Sequence, residues 1–176
     1  MYNQKILQEL LSTVKGKVFK NFNLGKLTFF KAGGNAEYLF IPQDLADLQY
    51  FLAQKEQNVP VFILGAGSNL LVRDGGIKGV TVKLNNFNKI KLQNENTIFA
   101  ESGALDKNVA LFAKNNGVAG LEFLYTIPGT IGGALTMNAG AYGSEIKDIF
   151  VSATALDLKG QIHNLNLIEA NFSYRS

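Results

Sequence analysis

Two glycine-rich segments hold the residues whose types and spacing could do chemistry. The first is Ile63-Leu64-Gly65-Ala66-Gly67-Ser68-Asn69-Leu70-Leu71-Val72. A strand running into Gly-x-Gly invites a dinucleotide-fold reading, but that fingerprint needs a third glycine and a helix directly after it. Leu70 stands at the third-glycine position, and Arg73-Asp74-Gly75-Gly76 follows too soon for a helix. A strand–loop–strand with exposed main-chain N–H groups fits better. Such a concavity binds anions without a charged side chain. Taken alone, this segment reads most simply as a tight turn.

The second segment is Ile127-Pro128-Gly129-Thr130-Ile131-Gly132-Gly133-Ala134-Leu135-Thr136-Met137-Asn138-Ala139-Gly140-Ala141-Tyr142-Gly143. It is unlike a surface linker, because Ile127, Ile131, Leu135 and Met137 are interleaved with the glycines. Apolar residues need burial, while glycines let a ligand lie against the main chain. Gly132-Gly133-Ala134 is expected to start a short helix whose first amides are free to meet a phosphate. Close packing of backbones is the simpler alternative; here ligand binding is favoured.

Side-chain chemistry is sparse. There is no cysteine and one histidine, His163, so thiolate chemistry, disulfides and multi-histidine metal sites are excluded. Asp74, Glu101, Glu122 and Glu145 are isolated carboxylates, and Ser68 and Ser144 have no histidine in a triad pattern.

Around these segments lies an ordinary globular composition. The chain has 176 residues, 47% of them hydrophobic, enough for one core or two small ones. Its net charge of +3 comes from scattered residues, with no basic tract that argues for nucleic acid. No apolar run is of membrane-spanning length, and the N-terminal residues do not read as a signal peptide.

Elements are expected as follows. Residues 3–14 form an amphipathic helix, with Leu7, Leu10, Leu11 and Val14 at helical spacing. Residues 23–34 read as a strand leaving through Gly33-Gly34, and residues 37–41 as a second strand. Asp44 caps a helix whose buried stripe is Leu45, Leu48 and Leu52. Strands follow at 59–64 and 80–84, with a further apolar run at Leu70-Leu71-Val72. Residues 89–100 form a hairpin around Asn94-Glu95-Asn96. Leu105 to Ala113 is helical and stops at Asn116-Gly117. Residues 150–165 form a second hairpin across Lys159-Gly160. The boundary between two units is placed near residues 77–85, giving subdomains 1–80 and 81–176.

Together these residues resemble a known family, the UDP-N-acetylenolpyruvoylglucosamine reductases. Leu64 to Val72 resembles that family's first flavin loop, and Ile127 to Gly143 its second. Thr28 to Ala36 resembles its N-terminal Thr-x-x-x-x-Gly-Gly-x-Ala entry, and Tyr174-Arg175 the start of its Tyr-Arg-x-Ser element. The resemblance implies an α+β fold of the vanillyl-alcohol-oxidase (PCMH) type, two subdomains holding noncovalent FAD. It implies a cytoplasmic, NADPH-dependent flavin oxidoreductase of peptidoglycan precursor synthesis, and so of cell-wall growth and division. The reaction reduces UDP-N-acetylglucosamine enolpyruvate to UDP-N-acetylmuramate. By the same resemblance Gly65, Ala66, Gly67, Ser68, Asn69 and Leu70 meet FAD from one loop. Gly129, Thr130, Gly132, Gly133, Asn138, Gly140, Ala141 and Gly143 meet it from the other. Tyr174 and Arg175 bind the UDP-sugar, and Arg175 stabilises the enolate-like charge beside the substrate carboxylate.

The family's remaining catalytic residues fall in a third, substrate-binding domain beyond position 176. The expectation is therefore a truncated form, inactive alone, that needs a C-terminal domain or partner chain. No nucleic-acid or membrane partner is expected. The alternatives are a noncatalytic FAD-binding remnant and another FAD oxidoreductase of the same fold.

Overall fold

This computed structural model describes residues 2–176, and the chain falls into two compact units. The first comprises the chain through Asn86 together with Thr154–His163; the second comprises Phe87–Ala153 and Asn164–Ser176.

The first unit opens with helix α1, Gln4–Thr13, capped by the Asn3 side chain, which accepts from the amides of Lys5 and Ile6. Leu7 and Leu11, four apart on one face, are its buried residues. Strand β1 (Lys17–Asn23) pairs antiparallel with β2 (Asn35–Ile41). Helix α2 (Leu45–Gln54) begins where Asp44 accepts from the Asp47 amide. Strands β3 (Val61–Leu64) and β4 (Ile77–Lys83) complete a sheet of order β1-β2-β4-β3, with β4 parallel to both neighbours. Parallel neighbours are covered on their faces. Accordingly Phe40, Val80 and Val82 are fully buried, and Phe40 meets Phe51 of α2 edge-on at 5.2 Å.

Three sequence expectations are corrected here. Residues 23–34 are not a strand. The strand lies earlier, at β1, and Leu24–Lys26 is a 3-10 turn. There Thr28 donates its amide to the Leu24 oxygen, and its hydroxyl donates to the Ala32 oxygen at 3.1 Å. An edge strand as polar as β1 shows no apolar alternation to find. Leu70-Leu71-Val72 is also not a strand: Val72 is buried beside Gly33, while Leu71 is 67% exposed. In α2, Leu45 is 43% exposed, and Phe51 joins Leu48 and Leu52 in the core instead.

The second unit holds the hairpin of β5 (Ile90–Asn94) and β6 (Thr97–Ala100), then helix α3 (Asp106–Asn115). Gly117, at φ +70°, lets the chain leave α3 in the left-handed region. Helix α4 (Ile131–Thr136) leads to the two-residue strands β7 (Gly140–Ala141) and β8 (Ser144–Glu145) and to helix α5 (Ile146–Ile149). Val109, Phe123, Leu124, Ala134 and Ile146 form the core. Strands β9 (Ala153–Leu156) and β10 (Ile162–Leu165) form the second hairpin, and helix α6 (Leu167–Ala170) follows.

The tip of the β9–β10 hairpin belongs with the first unit, although the sequence grouped it with residues 81–176. Gln49 of α2 donates its side-chain amide to the Gly160 oxygen at 3.0 Å. Gly160 sits at φ +79°, so close to Gln49 that a β-carbon would lie 2.8 Å from the Gln49 oxygen.

Candidate flavin-binding loops

The first loop, residues 65–69, leaves the end of β3 in the first unit. Two of its carbonyls are tied down. Lys83 Nζ donates to the Gly65 oxygen at 2.8 Å, and the Phe29 amide donates to the Gly67 oxygen at 3.0 Å. All peptides are trans, and in a trans peptide the C=O and the following N–H point in opposite directions. The Ala66 and Ser68 amides therefore point away from Lys83 and Phe29. Among the described residues neither amide has an acceptor. The result is a pair of unused donors on a held backbone, which suits an anion. Gly67 is required twice over. Its φ is +72°, and a β-carbon would lie 2.5 Å from the Leu27 oxygen. Gly65, Ala66, Ser68 and Leu70 are half-buried and Asn69 is exposed.

Lys83 was not picked out from the sequence. Its partner is a main-chain oxygen in the loop, and burial pulls its pKa below the usual lysine value. The β3–β4 register sets Leu64 opposite Lys83, so the side chain starts beside the residue that enters the loop.

The second loop, residues 127–143, lies in the other unit, and most of its amides are already used. Gly129 donates to the Ile127 oxygen, Gly132 to the Ser102 oxygen at 2.8 Å, and Ala134 to the Thr130 oxygen. The expectation of free amides at Gly132-Gly133-Ala134 thus reduces to Gly133, which is exposed. Thr130, whose amide is also free of described acceptors, is buried. Gly132 lies against Ser102: a β-carbon would stand 3.0 Å from the Ser102 oxygen. Gly140 would meet the Ser144 oxygen at 2.7 Å, so the β7–β8 pairing itself demands a glycine. Ala141 is half-buried, and Gly143 is a turn residue at φ +84° with open space around it.

Asn138 is 4% exposed and commits its side chain within the unit. Its Nδ2 donates to Glu145 Oε2 at 2.8 Å and to the Ser173 oxygen at 3.2 Å, and its Oδ1 accepts from the Lys147 amide. It links the second loop to the segment that carries Tyr174 and Arg175. Both of those residues are exposed, and the Arg175 guanidinium stacks on the Tyr174 ring at 5.3 Å. Among the described residues no hydrogen bond or ion pair ties Arg175 to the second glycine loop.

Asp106, the first residue of α3, also escaped the sequence reading. It is fully buried, and among the described residues neither carboxylate oxygen has a hydrogen-bond partner. Burial pushes its carboxyl from 3.8 up to about 7. A β-carbon on Gly129 would lie 2.5 Å from its Oδ2, so the carboxyl underlies the start of the second loop. The described residues contain no cluster of three or more potential metal ligands and no helix long and apolar enough to cross a membrane.

Known proteins match this arrangement. The UDP-N-acetylenolpyruvoylglucosamine reductase of Rickettsia prowazekii (strain Madrid E) is 48% identical over 167 residues, which is 94% of this chain and 56% of the relative. The chain thus spans little more than half the length of the curated relatives it matches. The crystal structure of UDP-N-acetylenolpyruvylglucosamine reductase (MurB) from Thermus caldophilus superposes with a TM-score of 0.76 at 28% identity. It covers 92% of this chain and 56% of that one. Glucooligosaccharide oxidase from Acremonium strictum shares the fold alone, with a TM-score of 0.68 at 14% identity, over 93% of this chain and 37% of its own. The expected resemblance to the reductases and the α+β fold of the PCMH type are therefore found. With residues 36–166 matching the sequence model described as FAD binding domain, both glycine loops included, the chain belongs to the FAD-binding-domain family.

Proposed function

We propose that this chain holds FAD noncovalently and serves the NADPH-dependent reduction of UDP-N-acetylglucosamine enolpyruvate to UDP-N-acetylmuramate in cell-wall precursor synthesis. The observation that carries the FAD part is the first loop. Its outward amides on Ala66 and Ser68 are donors without acceptors, aligned by two pinned carbonyls. Each hydrogen bond to a charged group contributes roughly 1.5–3 kcal/mol, so a few such amides hold a diphosphate without a cationic side chain in contact. The identity to reductases supports the substrate.

When bound, the flavin supplies the hydride chemistry, and the protein supplies position and electrostatics. Ala66 and Ser68 bind the diphosphate, and the other predicted residues of the first loop shape that turn. Gly133 and Thr130 offer free amides near the start of the second loop's helix. Gly129, Gly132 and Gly140 keep its backbone close-packed, Gly143 turns it, and Asn138 holds it to residue 173. Arg175, exposed beside Tyr174, has a guanidinium free of carboxylate partners among the described residues. It is available to the substrate carboxylate, where its charge would stabilise the enolate-like state. NADPH and the UDP-sugar belong to the full activity. That activity is proposed for the protein of the relatives' full length, and the cytoplasm is its place.

Flavin absorbance and a thermal shift on the purified chain test the cofactor. At ligand about 100-fold above Kd, binding adds about 2.7 kcal/mol of stability. A chain that melts as one folded species and is unmoved by FAD would overturn the reading. Consumption of NADPH with the enolpyruvyl substrate by full-length protein, lost in Arg175→Ala, tests the reaction.

A further inference from the structure

We propose that Lys83 is the positioning residue of the first glycine loop, holding the Gly65 carbonyl so that the Ala66 N–H stays turned toward a ligand diphosphate. The inference rests on the reading of that loop as a diphosphate cradle and names the side chain that fixes it.

The Gly65–Ala66 peptide has two ways to lie. In the observed one, its oxygen accepts from Lys83 Nζ at 2.8 Å and its N–H faces outward. Turned over, it would set the N–H against an ammonium and the carbonyl against the incoming anion. Both contacts are repulsive, so Lys83 selects the anion-binding orientation before any ligand arrives. The flip would rotate ψ of Gly65, which glycine leaves free, together with φ of Ala66.

Lys83 is placed for this, and among the described residues its side chain bonds only the Gly65 oxygen. The parallel β3–β4 pairing sets it opposite Leu64, the last strand residue before the loop. The ion pairs of the described residues are Lys147–Glu145 and His163–Asp157, so no carboxylate neutralises it. Its stem is half-buried at the end of β4. A cation kept behind the loop also favours an anion in front of it, through partly buried surroundings that screen less than water does. The Phe29 amide plays the matching part at Gly67 with a main-chain group that only proline would remove.

The test compares the wild-type chain with Lys83→Met and Lys83→Arg, using FAD and riboflavin as probes and flavin fluorescence as the readout. Riboflavin carries no phosphate, so a residue that acts on the diphosphate loop leaves its affinity unchanged. Loss of one charge-assisted contact corresponds to about a ten- to hundredfold weakening. The expected result is that loss for FAD in K83M, riboflavin within about twofold, and recovery of most FAD affinity in K83R. Lys83→Gln, which keeps a neutral donor, should fall between, and it replaces K83M if that variant melts early. FAD binding by K83M and K83Q equal to wild type overturns the role of Lys83 and leaves the cradle reading standing. Equal loss of FAD and riboflavin, with no rescue by arginine, overturns it as well, marking Lys83 as merely structural. A folded wild-type chain that binds no FAD overturns the cradle itself, and the role of Lys83 with it.

Discussion

The carboxyl of Asp106 and the backbone of Gly129 pack so closely that a β-carbon on Gly129 would stand 2.5 Å from Asp106 Oδ2. Gly129→Ala should therefore cost about 1–3 kcal/mol of stability, the usual range for an overpacked core. Asp106→Ala made alongside should recover part of that, because the clash partner is gone. Urea unfolding of the four members of the cycle measures the coupling. Additive single effects would mean the two residues do not touch.

Asp106 should also make stability depend on pH. Its folded pKa, about 7, exceeds the ordinary 3.8, so the neutral form is the one that the fold prefers. Its contribution is complete below about pH 4 and is lost as pH rises through about 7. The span between the two values corresponds to about 4 kcal/mol at full effect. Asp106→Asn removes the titration. The variant should exceed wild type in stability near about pH 8, and the gap should close toward about pH 4. Parallel curves across that range would show that Asp106 finds partners when ionised.

Gly67→Ala strikes the first loop in two ways. It forces an L-residue to φ +72° and drives a β-carbon to 2.5 Å from the Leu27 oxygen. The expected cost is about 1–3 kcal/mol, with FAD binding lost or weakened at least tenfold because the pinned carbonyl at residue 67 must move. Thermal melts and flavin titration read the two effects separately. Retention of wild-type FAD affinity would place the anion elsewhere.

Thr81 carries the opposite prediction. It is fully buried in β4, and its hydroxyl has no partner among the described residues. Thr81→Val keeps the shape and removes the stranded polar group, so it should stabilise by about 1 kcal/mol. A lower melting temperature would reveal an acceptor for that hydroxyl.

Much of this was legible from the sequence, for definite reasons. Helices α1 and α2 carry side-chain caps and apolar spacing, α3 carries apolar spacing and the Asn116-Gly117 stop, and the β5–β6 hairpin announces itself through Asn94-Glu95-Asn96. The two glycine loops were found because glycine density between apolar residues is itself a signal. Strand β1 was not, since an exposed edge strand has no hydrophobic alternation. Lys83 and Asp106 were missed because their chemistry comes from where they are buried, and burial is decided by distant chain. For Lys83 a usable clue existed: pairing β3 with β4 in parallel sets its position beside the entry to Gly65.

The tip of the β9–β10 hairpin, grouped with the first unit and bonded to α2 through Gly160, has a consequence for synthesis. A ribosome releases residues in order, so the unit containing the first glycine loop stays incomplete until His163 has emerged. By then the helices and strands of the second unit up to Ala153 are already outside. The two units are therefore finished almost together, the first at His163 and the second only with residues 164–176, and translation pauses between residues 87 and 153 would hold the first in its unfinished form.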